Sequence, residues 1–263
     1  MRFLEGVIKK NNPDLYNDIE KEVLLFQKKY SGARDKVLQD DIFRIIEEID
    51  GIDLLLFPVE DNEFCGFICK YKSEYFIYIN TYLPHGKQIF ATAHELYHFL
   101  NDGHKELLHS NIIDENDDEK VDLEESKANL FAALLLVPDE SLKKELDLLK
   151  VSTSDDLDKL KVIKLMDVFA VPYKTIILRL YEIELLSEEE TKEWLSIPSR
   201  SEKEGILFQI KKHKIGERWQ KRTQDVKYSN LQALIYDNND FELLPSKRIK
   251  KDLAFIKQDD RDE

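Results

Sequence analysis

The 263-residue sequence predicts an α+β fold, in which a small antiparallel sheet lies among helices and is followed by a helical bundle and a helical tail. Apolar residues recur every three or four positions over most of the chain, which is typical of amphipathic helices. Between residues 52 and 80 this period gives way to three short runs rich in β-branched and aromatic residues and separated by turn-formers, which predict strands. The runs are Ile52–Phe57, Phe64–Tyr71 and Tyr75–Asn80.

The composition excludes several classes of protein. Hydrophobic residues make up 42% of the chain, too many for a disordered protein, and the formal net charge of −14 argues against a globally basic nucleic-acid binder. The longest apolar runs are far shorter than a membrane span, and from the N-terminal residues we expect no signal peptide. With only two cysteines, Cys65 and Cys69, which we expect to be free thiols, the chain is predicted to be cytoplasmic and to have no membrane partner.

The helices are predicted from capping and stop signals. Asn12 followed by Pro13 is a typical helix start, and apolar spacing continues the helix over 13–30. A second helix is expected over 37–49, before Asp50-Gly51, and a third over 87–101.

The second half of the chain is predicted to be mainly helical. A very acidic stretch over 113–126 leads into a helix that ends at Pro138, and several short helices follow over 139–195. Among them, Ser187 with Glu190 has the spacing of a capping box. Residues 203–236 are also predicted to be helical.

His94, Glu95 and His98 form an H-E-x-x-H motif on the helix predicted over 87–101. Residues four apart lie on one helix face, so both imidazoles can reach one Zn²⁺ at about 2.0–2.1 Å. Glu95 is too offset to be a natural ligand, but it can reach a water activated by the metal and act as its general base. An apolar stripe on the same helix indicates packing into a core, which disfavours a mere pair of surface histidines.

A catalytic zinc site takes three protein ligands and keeps one position open, so a third ligand is expected elsewhere. Spacing favours Glu125, because Asn129 lies four residues later on the same face, where its amide can hydrogen-bond a ligating histidine. His104 stands where metzincins place a third histidine, but the glycine of that longer motif is missing. The open candidates are Glu125, Glu124, Asp122, His104 and His109.

Two segments resemble the ImmA/IrrE family of metallo-endopeptidases. Residues 89–101, with Ala-His-Glu-Leu-Tyr-His at their centre, look like the active-site helix of that family. Residues 125–138 are similar to its E-x-x-A-N-x-F-A-A-x-L-L-M-P signature, and Phe76–Asn80 fits its I-x-I-N strand. Tyr97 stands where the family usually has Gly, and Lys87-Gln88 matches the usual basic-polar pair only loosely. The resemblance covers roughly residues 40–190.

The resemblance implies a minimal zincin-like catalytic domain with a gluzincin-type site. His94, His98 and Glu125 would be the ligands of Zn²⁺, and Glu95 would be the base. It also implies a sheet edge along the cleft, to which an extended peptide can add by backbone pairing. The candidate edge strand consists of Tyr75, Phe76, Ile77, Tyr78, Ile79 and Asn80.

The function implied by the resemblance is that of a zinc-dependent endopeptidase. Its substrate would be a helix-turn-helix transcriptional repressor or a similar regulatory protein of a prophage, mobile element or stress regulon. The alternative is a non-proteolytic regulatory binding protein that keeps the zinc fold, such as a toxin–antitoxin or phage-defence component. The intact Glu95 favours the enzyme, because a binding module has no need of a general base.

Four parts are predicted along the chain: an N-terminal helical segment (1–35), the catalytic domain (36–140), a helix-turn-helix-like bundle (141–200) and the tail (201–263). The last boundary follows from charge, since residues 1–200 carry a net −16 and residues 201–263 a net +2. Residues 203–227 hold eight basic and three acidic side chains, so nucleic acid or an acidic partner could bind there. The competing interpretation is that the apolar side chains of this stretch pack onto the catalytic domain; these are Ile206, Leu207, Phe208 and Trp219.

Overall fold

The computed structural model of the chain describes residues 7–72, 74–101 and 123–258, and it has the predicted α+β class. The N-terminal half contains α1 (Ile8–Asn11), α2 (Pro13–Phe26), α3 (Asp41–Glu47), β1 (Ile52–Phe57), β2 (Gly66–Tyr71), β3 (Glu74–Asn80) and α4 (His85–Asn101). The remainder contains α5 (Leu123–Leu136), α6 (Asp139–Leu148), α7 (Lys159–Phe169), α8 (Tyr173–Glu182), α9 (Glu188–Leu195), α10 (Gly205–His213), α11 (Glu217–Gln220), β4 (Lys227–Tyr228), α12 (Leu231–Asp240) and α13 (Ser246–Gln258). Most of the acidic stretch lies outside the described residues.

The capping signals in the sequence are confirmed. The side chain of Asn12 accepts a hydrogen bond of 3.1 Å from the backbone N–H of Leu15, and Pro13 occupies the first turn of α2. The α-helix continues as a π-helical turn to Ser31, so the predicted helix over 13–30 is present. At α9, Ser187 and Glu190 exchange the two hydrogen bonds of a capping box.

The sheet is mixed, with the strand order β2–β3–β1–β4. β2 and β3 form an antiparallel hairpin and β4 runs antiparallel to β1, but β1 and β3 are parallel. The expectation of a purely antiparallel sheet is therefore wrong for this pair. The prediction that Tyr75–Asn80 is an edge strand is also wrong, because β3 pairs with β1 on one side and with β2 on the other.

The buried side chain of Asn80 ties the β1–β2 connection to the end of β3. Its Nδ2 donates to the backbone oxygens of Val59 and Phe64, each at 2.9 Å, and its Oδ1 accepts from the N–H of Val59 at 2.9 Å. These bonds hold the β1–β2 connection across the end of β3, so that β2 begins on the far side. Alternating apolar residues report which face of a strand is buried, but they do not report the order of strands.

Helix α4 covers one face of the sheet. The inward side chains alternate along each strand and are almost completely buried, as at Leu54, Ile68 and Ile77. α4 contacts β2 and β3 on this face, and α5 packs against the other side of α4. α4 is therefore enclosed between the sheet and α5, which fixes its rotation about its own axis.

Arg179 links the helical bundle to the rest of the fold. The guanidinium is fully buried, and its Nε donates to the carbonyl of Val137 at 3.2 Å. It also forms ion pairs with Asp139 and Glu182, and Nη1 lies 3.4 Å from the hydroxyl of Tyr16. α8 is thus tied to the residues that follow α5 and to α2.

Part of the C-terminal segment belongs to the main core. Ile206, Ile210 and Trp219 are buried within the same apolar cluster as α4 and α7, and the indole N–H of Trp219 donates to the carbonyl of Asp167 at 2.9 Å. The stretch predicted as helix over 203–236 also contains β4, which adds to the sheet beside β1. α12 and α13 then pack on each other. Across the part of the chain that the structure describes, no helix has the length and apolar character of a membrane span.

Candidate metal centre

The H-E-x-x-H motif lies in the middle of α4, at the most buried part of the helix. His94, Glu95 and His98 are each no more than 2% exposed. Uncompensated imidazoles and carboxylates are costly to bury, so such side chains require partners. The partners come from α5, which crosses α4 at this point, and from β2.

Glu125, in the first turn of α5, meets both histidines. Its Oε2 lies 3.2 Å from Nε2 of His94, and its Oε1 lies 3.3 Å from Nε2 of His98. The two Nε2 atoms are themselves 3.3 Å apart. Among the described residues, these three side chains form a group whose ligand atoms all lie within 4.8 Å of one another.

The donor set fits a zinc ion. Ligand atoms held about 2.0–2.1 Å from one tetrahedral Zn²⁺ are roughly 3.3 Å apart, which is the separation of the three side-chain atoms here. Two imidazole nitrogens and one carboxylate oxygen are also the ligands of a catalytic zinc site, which leaves its fourth position open. The residues therefore fit the metal that the motif predicts.

Asn129 sets the tautomer of His94. Its Oδ1 lies 3.0 Å from Nδ1 of the imidazole, and an amide oxygen can only accept a hydrogen bond. The proton is therefore on Nδ1, and the lone pair of Nε2 points into the group of three. The structure thus places Asn129 where spacing along α5 predicted it.

The pKa directions agree with this arrangement. Burial lowers the pKa of His94, which keeps the imidazole neutral. Burial alone would raise the pKa of Glu125, but the hydrogen bonds with the imidazoles of His94 and His98 outweigh it and hold the pKa well below its ordinary value. A neutral imidazole and an ionised carboxylate are the protonation states that bind a metal.

Glu95 differs from the three candidate ligands in its surroundings. Burial raises its pKa well above the ordinary value, the charge of Glu125 adds to this effect, and a backbone hydrogen bond from Ile68 opposes it. Its Oε2 is buried and has no hydrogen-bond partner among the described residues. A carboxylate with a raised pKa and one uncommitted oxygen is suited to accept a proton.

The edge of β2 runs past Glu95. The N–H of Asn80 donates to the carbonyl of Cys65 at 2.8 Å, which fixes the alternation of the antiparallel ladder. The backbone groups of Phe67 and Cys69 therefore face β3, whereas those of Gly66, Ile68 and Lys70 face away from it. No described strand pairs with that outer edge, and the hydrogen bond from Ile68 to Glu95 places it beside the candidate base.

The other candidates occupy different places. Glu124 points away from the group and pairs with Lys127 at 2.6 Å, while Asp122, His104 and His109 lie outside the described residues. Tyr97 is buried, with its ring 5.7 Å from that of His98. Both cysteines are free thiols, as expected. The sequence does not predict the role of the Ile68 backbone, because a main-chain donor carries no sequence signature.

The fold and site together define a protein with a buried H-E-x-x-H helix and a carboxylate from the next helix. The profile of Peptidase_M78, described as an IrrE N-terminal-like domain, matches residues 48–181. The chain belongs to this family of metallopeptidase type, in agreement with the resemblance found from its motifs.

No curated protein matches the chain. Among solved structures, a Mycobacterium tuberculosis transcriptional regulator is similar at 17% identity and a TM-score of 0.41, over 68% of this chain and 51% of that one. The chain thus spans about half of the length of that regulator.

Proposed function

We propose that this protein is a zinc-dependent endopeptidase of the cytoplasm. The observation that carries the proposal is the convergence of His94, His98 and Glu125 beside a buried Glu95. Membership of a peptidase family supports it. The free thiols of Cys65 and Cys69 suit a reducing compartment.

His94, His98 and Glu125 would hold the zinc ion. When bound, zinc would polarise the scissile carbonyl and favour ionisation of the attacking water. Asn129 keeps the proton of His94 on Nδ1, so that Nε2 stays available. Glu95 would accept the proton of the attacking water on its uncommitted Oε2 and pass it to the leaving amine.

In this proposal the edge of β2, rather than β3, would hold the substrate backbone. An extended peptide can accept and donate hydrogen bonds at Gly66 and Lys70 and can donate to the carbonyl of Ile68. The N–H of Ile68 meanwhile bonds to Glu95. Peptide pairing at this edge would therefore bring a peptide bond close to the base.

A helix-turn-helix repressor or a similar regulatory protein is our proposed substrate, and it follows from the family resemblance. The alternative is a binding protein without peptidase activity. The two functions differ in whether the protein needs Glu95 to act as a general base. Glu95→Gln keeps the size of residue 95 and removes its basicity, so the variant should retain zinc and lose nearly all cleavage of the proposed repressor substrate. Equal cleavage by the variant and the wild-type chain would refute the proposed mechanism. Equal biological effect without cleavage would favour the binding protein.

A further inference from the structure

Three aromatic side chains form a cluster on the sheet face that points away from α4. Phe67 and Tyr78 are directly opposite on β2 and β3, with ring centroids 5.2 Å apart. Phe64 stacks on both, at 6.1 Å and 5.6 Å. The hydroxyl of Tyr78 donates to the carbonyl of Phe57 at 2.8 Å, which fixes the orientation of that ring. We call Phe64, Phe67 and Tyr78 the outer aromatic cluster.

The cluster keeps apolar surface accessible at the edge of the sheet. All three rings are only half-buried, whereas the side chains on the inner face, such as Ile68 and Ile77, are nearly inaccessible. Phe67 belongs to β2, the strand whose outer edge has no described partner. Rigid aromatic rings at an open sheet edge can hold an apolar side chain at little cost in conformational entropy.

Strand geometry defines what would contact Phe67. A polypeptide that pairs antiparallel with the outer edge of β2 forms its hydrogen bonds opposite Gly66, Ile68 and Lys70. Its residue opposite Phe67 is then in a non-hydrogen-bonded pair, in which the Cα atoms approach to about 4.5 Å and the side chains are closest. Side chains of such a pair point to the same face of the sheet, so this residue would lie against the ring of Phe67.

We propose that the outer aromatic cluster is a specificity site that holds one apolar side chain of the substrate strand. The proposal rests on the proposed peptidase function and specifies its substrate class, an extended segment with Leu, Met, Phe or Tyr at one position. Ile68, the next residue after Phe67, donates its N–H to Glu95. The selected side chain would therefore lie near the scissile bond, because adjacent residues along a strand are only about 3.3 Å apart.

Cleavage-site profiling of the zinc-loaded full-length protein tests this proposal. The probe is a tryptic peptide mixture from denatured casein, and the sites cut by wild type are compared with those cut by Phe67→Ala. Wild type should prefer an apolar residue at one fixed position near the cleaved bond. Phe67→Ala should lose about tenfold in kcat/KM for such peptides, mainly through KM, and Phe67→Leu should retain most of the preference.

Phe241→Ala is the matched control. Phe241 is an exposed phenylalanine at the end of α12, outside the sheet, so the same change there should leave the preference unchanged. An unchanged preference in Phe67→Ala, with wild-type cleavage intact, overturns the specificity site and leaves the peptidase function standing.

A peptide-binding assay tests the specificity site independently of activity. The inactive Glu95→Gln variant should bind apolar peptides from the same mixture, and the Phe67→Ala/Glu95→Gln double variant should not bind them. Equal binding by the two variants, or no binding by either, overturns the proposal.

Discussion

The Oδ1 atom of Asn129 lies 3.0 Å from Nδ1 of His94, so one side chain of α5 orients a candidate ligand on α4. We expect Asn129→Ala to weaken zinc binding about 10- to 100-fold, because the imidazole loses the acceptor that fixes its tautomer. Titration with a competing chelator measures the affinity. Asn129→Asp keeps an acceptor at this position and should lose much less. Identical affinities for wild type and Asn129→Ala would contradict the assigned role.

The zinc content of two neighbouring glutamate variants tests the ligand set. Wild type should bind about one zinc per chain. Glu125→Ala removes a carboxylate whose oxygens lie 3.2 Å and 3.3 Å from the two histidines, so it should lose most of the metal. Glu124→Ala removes an exposed partner of Lys127, and this variant should keep its zinc. Elemental analysis of both purified variants decides, and equal zinc in the two would refute Glu125 as a ligand.

The core contact of Trp219 predicts that the segment after residue 200 contributes to stability. Trp219→Ala should lower the free energy of unfolding by about 3–5 kcal/mol, because it leaves a cavity and removes the hydrogen bond to Asp167. Lys212→Ala, at an exposed position of α10, should change it by less than about 0.5 kcal/mol. Urea denaturation followed by circular dichroism measures both. A Trp219→Ala protein as stable as wild type would support an independent tail instead.

The buried ion pairs of Arg179 predict a destabilising single variant and a compensating double variant. Arg179→Met would leave Asp139 and Glu182 without their cation and should cost about 3–5 kcal/mol. Adding Glu182→Gln removes one unpaired charge and should restore part of the loss. Chemical denaturation of the three proteins forms the test. A double variant less stable than Arg179→Met would show that the charge of Glu182 is not the source of the penalty.

The sequence predicted which side chains converge at the candidate site better than it predicted the position of the strands. His94, His98, Glu125 and Asn129 follow helical spacing, and a rigid helix carries that spacing directly into space. The hydrogen bond from Ile68 to Glu95 could not be predicted in this way, since it joins a main-chain group to a residue distant in sequence.

Strand order depends on long-range contacts that no local pattern reports. β3 has the pattern of a half-buried strand whether it lies at an edge or in the middle of the sheet. Its central position is visible only from its pairing with both β1 and β2. β4 has only two residues, which is too short for the alternation of apolar and polar residues that predicts a strand. Its pairing with Leu55 and Leu56 is therefore visible only in the folded chain.

This pairing has a consequence for how the protein behaves in a crowded solution. Unpaired sheet edges invite other chains to add strands, which leads to aggregation. β4 occupies part of the outer edge of β1, and a salt bridge from Lys227 to Glu47 anchors it there. Among the described strands, β2 then keeps the long open edge. The backbone edge that another strand could pair with is therefore mainly that of β2, next to Glu95. Loss of β4 would expose the edge of β1 as well and should make the protein self-associate more readily.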